Sequence, residues 1–212
     1  MLNEPQIKKM LSKLERFANR LEPHIFEKQC ELKDVEFFHA DRQYHTVPET
    51  GFAPAEKGFK WSGEGTYCWF KSAFTVPKSL DGKTLFVMPH IGGYEALLWV
   101  DGIPFGTFAT KIVYTAHGNH YCDMIKSSAR AGETVEIALE YYAGHLYPGC
   151  MPDETYPIKD FTFEFDGIEI CTKNYEVQDF YFDLCSLLEI AKNLPDTSFR
   201  WGEVVDALYD TY

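Results

Sequence analysis

Apolar residues near the N-terminus recur at the spacing of one helix face. The recurring positions are Ile7, Met10, Leu11, Leu14, Phe17, Ala18 and Leu21. Successive members lie one or three residues apart, which keeps them on a single stripe of an α-helix. Pro5 fits the first turn, where its missing N–H would have no partner, and Pro23 ends the run. The pattern predicts an amphipathic helix over about 4–20.

The middle of the chain, 35–171, consists of short runs of aromatic and β-branched residues separated by turn residues. Such runs are typical of β-strands. The predicted strands are 67–76, 84–88, 94–100, 103–108, 111–115, 120–125, 134–142 and 158–170. Asp101-Gly102 lies between two of them and favours a two-residue hairpin, because both residues tolerate positive φ. No helix pattern alternates with the strands, so an antiparallel sandwich or jelly roll is expected.

Helical spacing returns after the strands. Asn174 is a predicted N-cap for one helix, and Ser198 for a second. The apolar stripes of these helices are Val177, Phe180, Leu184, Leu187, Leu188 and Ala191 in the first, and Trp201, Val204, Val205 and Leu208 in the second. Each stripe needs an apolar surface, so both helices are expected to cover the sandwich or to pack on something outside this chain.

Charge and cysteine usage narrow the function classes. The 212 residues carry 32 acidic and 20 basic side chains, for a formal charge of -12. This balance disfavours nucleic acid and anionic membranes as partners, since both are bound mainly through basic groups. The N-terminal segment has no apolar secretory core, and the six cysteines form no C-x-x-C pair. Reduced thiols and a cytoplasmic location are therefore expected.

Several runs occur in an order that resembles a known family. They are IFEKQCELKDV, WFKSAFTVPKSLDGKTLFV, EALLWVDGIPFG, GETVEIALEYYAG, and FTFEFDGIEICTKNYEVQDFYFDLCSLLEIAKNL. This order resembles the N-terminal, non-catalytic region of glycoside hydrolase family 38 α-mannosidases of the cytosolic or vacuolar type, over about 15–195. The helix YEVQDFYFDLCSLLEIAKNL makes the resemblance more specific than the sandwich runs, which many galactose-binding-like accessory domains share.

The resemblance implies a galactose-binding-like sandwich whose parent enzyme hydrolyses terminal α-mannosides with zinc. The zinc motif of that family, H-x-H-x-D-x-x-W, belongs to a following catalytic domain, and no H-x-H occurs here. No catalytic residue, metal ligand or cofactor is therefore expected in this chain. The expected segments are 1–34, helical; 35–171, the sandwich; and 172–212, a helical linker toward the catalytic domain. That catalytic domain and another subunit are the implied protein partners.

A stand-alone carbohydrate-binding module is the alternative. Aromatic rings stack on sugars, and the candidates are Trp61, Tyr67, Trp69, Trp99, Tyr141, Tyr142 and Tyr147. Strand aromatics usually pack in the core. Trp61 and Tyr147 lie in loop-like stretches, so these two are the predicted sugar-binding platforms.

Two catalytic alternatives remain. His117 and His120 have the spacing of metal ligands, but the intervening Gly-Asn favours a turn in which the rings need not converge. Glycoside hydrolysis uses paired carboxylates. Those available are Glu95, Asp101, Glu140, Asp153 and Glu154. Asp101 is better explained by its turn, and Glu95 and Glu140 are expected at outward-facing strand positions.

Overall fold

The computed structural model describes residues 3–63, 65–93, 95–109, 120–121, 123–143 and 162–212. Its strands are β1 (Phe26–Glu31), β2 (Glu36–Ala40), β3 (Ala53–Pro54), β4 (Phe59–Trp61), β5 (Tyr67–Thr75), β6 (Leu85–His90), β7 (Glu95–Val100), β8 (Ile103–Ala109), β9 (His120–Tyr121), β10 (Met124–Lys126), β11 (Thr134–Tyr142), β12 (Phe163–Phe165) and β13 (Gly167–Lys173). The α-helices are α1 (Glu4–Leu21), α2 (Tyr175–Asn193) and α3 (Phe199–Thr211). The expectation of a mainly β protein with helices at both ends is confirmed.

The strands form a sandwich. A seven-stranded sheet has the order β3-β2-β5-β11-β7-β8-β9, and a four-stranded sheet has the order β1-β13-β6-β10. The strand pairs of known register are antiparallel, as predicted. Strand β11 lies at the centre of the larger sheet, between β5 and β7. A short additional pair joins β12 to β4.

The main core follows from alternation along these strands. In β11 the inward residues Val135, Ile137, Leu139 and Tyr141 are all buried. Leu85 and Val87 of β6, with Ile168 and Ile170 of β13, supply the opposing apolar layer from the four-stranded sheet. Each such side chain contributes about 1.5–3 kcal/mol when it is removed from water. Burial of these two inner faces is therefore the main force that holds the sandwich closed.

The helices form a second unit with a core of its own. Residues 1–27 and 173–212 group together, separately from 28–172. Met10, Leu14 and Ala18 of α1 pack with apolar residues of α2 and α3, namely Leu184, Leu188, Ala191, Val205 and Leu208. The expectation that α2 and α3 cover the sandwich or need a partner outside the chain is therefore wrong for these buried residues. The periodicity identified each stripe but not the surface that it meets.

Local signals set the helix ends. The Asn3 side chain accepts the Gln6 N–H at 3.0 Å, and the Gln6 side chain accepts the Asn3 N–H at 2.9 Å, which is a capping box. Asn174 caps α2 by accepting the Val177 N–H, and Ser198 caps α3, both as predicted. No helix in the described part of the chain has an apolar stretch long enough to cross a bilayer.

Candidate functional site

A second apolar cluster lies on the outer face of the seven-stranded sheet. Alternation places Ala138 and Glu140 of β11 on the face opposite Ile137 and Leu139. The buried members of this outer cluster are Ala40, Trp69, Trp99 and Ala138. The 41–52 segment packs against it with Tyr44, Val47 and Phe52. This outer face is therefore covered by an irregular stretch of the same unit rather than by solvent.

Glu140 lies at the centre of this covered face. Its neighbours across the strands are Trp69 on β5 and Leu97 on β7, and its side chain is only 4% exposed. Burial raises the pKa of the Glu140 carboxyl, because the ion loses its hydration. The Tyr44 backbone N–H, the Trp99 indole and the His45 imidazole oppose this shift without cancelling it.

Four buried polar atoms of this cluster have no hydrogen-bond partner within the described structure. They are the two Glu140 carboxylate oxygens and the Nε1 atoms of Trp69 and Trp99. The Trp99 indole and the Tyr44 N–H influence Glu140, yet neither meets it with hydrogen-bond geometry. Buried polar groups are nearly always paired, so four unpaired atoms on one small face are unusual.

An open groove of about 810 Å³ borders the cluster. Val47 and Ala138 belong to both, so the groove ends where the covered aromatic cluster begins. Lys71 lies in its wall, 3.4 Å from the Glu36 carboxylate, and its ammonium sits 3.9 Å from the centre of the Phe52 ring. The remaining wall mixes acidic, basic and small apolar side chains. Such a lining suits a neutral polar ligand better than a strongly charged one.

Trp61, predicted as a surface platform, is instead buried. It belongs to β4, is 4% exposed, and donates its indole N–H to the Ile91 carbonyl at 2.9 Å. The rings of Phe70, Tyr141 and Phe163 surround it at centroid distances of 5.7, 5.7 and 4.7 Å. It also lines a smaller pocket of about 360 Å³, but its ring is enclosed by these aromatic side chains and its N–H is already paired. The strand pairing of β4 with β12, invisible in the sequence, encloses it.

Most of the other predicted site residues cannot be placed in the site. Tyr147, His117, Asp153 and Glu154 lie outside the described residues. The backbone of His120 lies in β9, paired with Ala109. Among the described residues, no three His, Cys, Asp or Glu side chains gather in a way that could hold a metal ion.

Among the described residues, no second candidate carboxylate acts on the pKa of Glu140, so no catalytic pair is formed there by these residues. Glu95 is exposed, as predicted, and Asp101 forms the β7–β8 turn. Glu140 faces outward from the main core, as expected, but it is buried because the 41–52 segment covers it. One sequence signal could have indicated that Glu140 is buried. It is a single acid between Leu139 and Tyr141, in a strand whose centre is otherwise buried.

Comparison with known proteins gives only distant likenesses. No family model matches the chain, and no curated protein matches it in sequence. A β-glucuronidase from Ruminococcus gnavus in complex with D-glucuronic acid is similar at TM-score 0.46 and 11% identity, covering 70% of this chain and 29% of that one. A β-glucuronidase from an uncultured Clostridium sp. gives 0.43 and 13%, covering 71% and 30%. The chain thus spans less than a third of these enzymes, and likeness at this level assigns no activity.

Proposed function

We propose that this chain is a non-catalytic accessory domain of a glycoside hydrolase, of the family 38 α-mannosidase type. The observation that carries the proposal is the order of the runs that resemble that family. They correspond to β5, the β7–β8 hairpin, β11 and the capped helix α2. The sandwich and the terminal helix thus occur in the succession that the resemblance implies.

What glycoside hydrolysis requires supports a non-catalytic role for this chain. That reaction uses two carboxylates about 5–9.5 Å apart, one as acid and one as base or nucleophile. Glu140 is a buried carboxylate in the described structure, but no second acid is among the groups that act on its pKa. With no second acid acting on it among the described residues, Glu140 beneath aromatic rings is suited to holding a ligand or a segment.

In this proposal the parent enzyme works in the cytoplasm and holds its zinc in a separate catalytic domain. The catalytic domain, and in an oligomer a second subunit, would be the protein partners of this chain. The net charge of -12 is compatible with such partners and disfavours nucleic acid.

Two measurements test the proposal. The purified chain, assayed with an aryl α-mannoside and added Zn²⁺, is expected to show no turnover above a buffer blank, and reproducible turnover would refute the non-catalytic role. The gene downstream of codon 212 is expected to encode H-x-H-x-D-x-x-W. A stop codon there would instead favour the second candidate function.

That second candidate is a stand-alone carbohydrate-binding module. The Glu140 and tryptophan groups beside the groove favour it, because they offer hydrogen bonds that the described part of the chain does not use. Calorimetric titration with neutral sugars separates the two candidates, since a purely structural accessory domain gives no saturable heat.

A further inference from the structure

The unpaired polar atoms of the outer cluster indicate which kind of ligand could form hydrogen bonds with them. Two are acceptors, the oxygens of Glu140, and two are donors, the Nε1–H groups of Trp69 and Trp99. A cation would pair with the carboxylate but leave both indoles unpaired. An anion would accept from the indoles but be repelled by Glu140. A hydroxyl group donates and accepts at once, so a hydroxylated molecule can satisfy both kinds of group.

The surrounding surface fits the same chemistry. The cluster contains six aromatic rings, of Phe38, Tyr44, Phe52, Tyr67, Trp69 and Trp99. Aromatic rings pack against the C–H faces of sugar rings as they do against other apolar groups. The adjoining groove, at about 810 Å³, lies in the range of small-molecule sites. A neutral sugar matches the donors, the acceptors and the apolar faces together.

We propose that the outer face of the seven-stranded sheet binds a neutral mono- or disaccharide, with Glu140, Trp69 and Trp99 as its hydrogen-bonding groups. The sugar enters along the groove at Val47 and Ala138, where the open surface meets the covered cluster. The 41–52 segment moves to admit it, since Tyr44, Val47 and Phe52 now lie over the cluster. This segment contains no helix or strand, so few backbone hydrogen bonds oppose its movement.

The competing interpretation is that Glu140 serves only to hold the 41–52 segment, through Tyr44 and His45. The two interpretations predict opposite effects of one substitution. If Glu140 serves to bind a ligand, its unpaired carboxylate lowers the stability of the ligand-free protein. Glu140→Gln would then raise the melting temperature while weakening binding. A residue kept as a structural contact would lower the melting temperature when it is replaced.

The test is calorimetric titration of the whole chain with methyl α-D-mannoside, methyl α-D-glucoside and mannobiose at millimolar concentration. Saturable binding is expected for at least one of them. Trp99→Phe keeps the ring but removes the N–H, and Glu140→Gln removes the charge. Each is expected to weaken binding about tenfold, the loss typical of one hydrogen bond that involves a charged group.

Trp61→Phe is the matched control, because the Trp61 indole N–H is already paired with Ile91 on the inner side of the sheet. Its sugar affinity should equal that of the wild type, and circular dichroism checks that each variant is folded. Absence of saturable heat with all three sugars, or an equal loss in Trp61→Phe, would overturn the proposal. The site deepens the second candidate function, so its failure leaves the accessory role untouched, whereas turnover of an aryl α-mannoside would refute only that role.

Discussion

Asp101 and Glu136 are joined by two hydrogen bonds in opposite directions. The Asp101 N–H donates to the Glu136 carbonyl at 2.9 Å, and the Asp101 carboxylate accepts the Glu136 N–H at 2.9 Å. Asp101 and Gly102 have φ of +51° and +75°, as a two-residue hairpin requires. The turn thus ties the β7–β8 hairpin to the central strand β11.

We expect Asp101→Ala to destabilise the protein by about 2 kcal/mol, because alanine tolerates positive φ poorly and removes the acceptor. Asp101→Asn keeps both the positive φ and the acceptor, and loses only a 3.5 Å surface ion pair with Lys126. Its free energy of unfolding should remain within about 0.5 kcal/mol of that of the wild type, because an exposed ion pair contributes little to stability. Urea unfolding of both variants measures the difference, and equal losses would contradict this role of the side chain.

Gly93 is a position where the backbone approaches two aromatic rings. It has φ of +76°, and a Cβ there would lie 2.7 Å from the Tyr141 ring and 3.1 Å from Trp61. Gly132, at φ +85°, has no heavy atom within 4 Å of the same point. Gly132→Ala should cost about 1 kcal/mol from backbone strain alone. Gly93→Ala should cost at least about 1 kcal/mol more, from overpacking. Thermal unfolding that ranks the two variants equally would show that the rings move aside freely.

The raised pKa of Glu140 makes stability depend on pH. Since this pKa is higher in the folded protein than in the unfolded chain, the folded state binds the proton more readily. The free energy of unfolding contributed by Glu140 therefore falls as pH rises from the unfolded pKa, about 4.3, through the higher folded pKa. The Glu140→Gln variant does not lose stability in this way, because its side chain does not ionise.

The stability gain of Glu140→Gln over wild type is accordingly expected to be small in acid and to grow as pH rises through the folded pKa, because only the ionised carboxylate loses the hydration of a charge. Denaturation at a series of pH values measures it. Glu95→Gln, at an exposed position at the start of β7, is the control and should follow the wild type throughout. A gain that stays constant with pH would show that ionisation of Glu140 does not limit stability.

Two cysteine thiols are expected to be inert in the folded protein. Burial raises the pKa of Cys68 to about 12 and that of Cys171 to about 11, and both side chains are at most 1% exposed. Iodoacetamide at pH 8 should leave both unmodified, while the half-buried Cys185 reacts before either of them. Peptide mass spectrometry before and after urea addition locates the label. Rapid native labelling of Cys68 would mean that β5 opens far more readily than a central strand should.

The local features of the fold could be predicted because local rules produce them. The stripe from Ile7 to Leu21, the caps at Asn174 and Ser198, and the hairpin at Asp101-Gly102 each depend on residues close in sequence. Period-two alternation likewise indicated which β11 residues enter the core, and the antiparallel arrangement was confirmed.

The features that could not be predicted depend on distant contacts. Glu140 reads as an outward residue until the 41–52 segment, about a hundred residues earlier, is placed over it. Trp61 reads as a loop residue until Phe163 pairs with it across the β4–β12 ladder. In the same way, the stripes of α1, α2 and α3 reveal three apolar faces but not that they meet one another. Periodicity gives the direction of a side chain, whereas burial depends on what the rest of the chain brings there.

The shared core of α1 with α2 and α3 has a consequence for synthesis on the ribosome. The whole sandwich is an insertion between α1 and its partners, so α1 is made some 150 residues before α2 begins. At a synthesis rate of about 5–20 residues per second, the apolar stripe of α1 stays without α2 and α3 for roughly 8–30 s. The helical unit is therefore the last part to be completed, and a nascent chain stalled inside the sandwich displays Met10 and Leu14 to the chaperones.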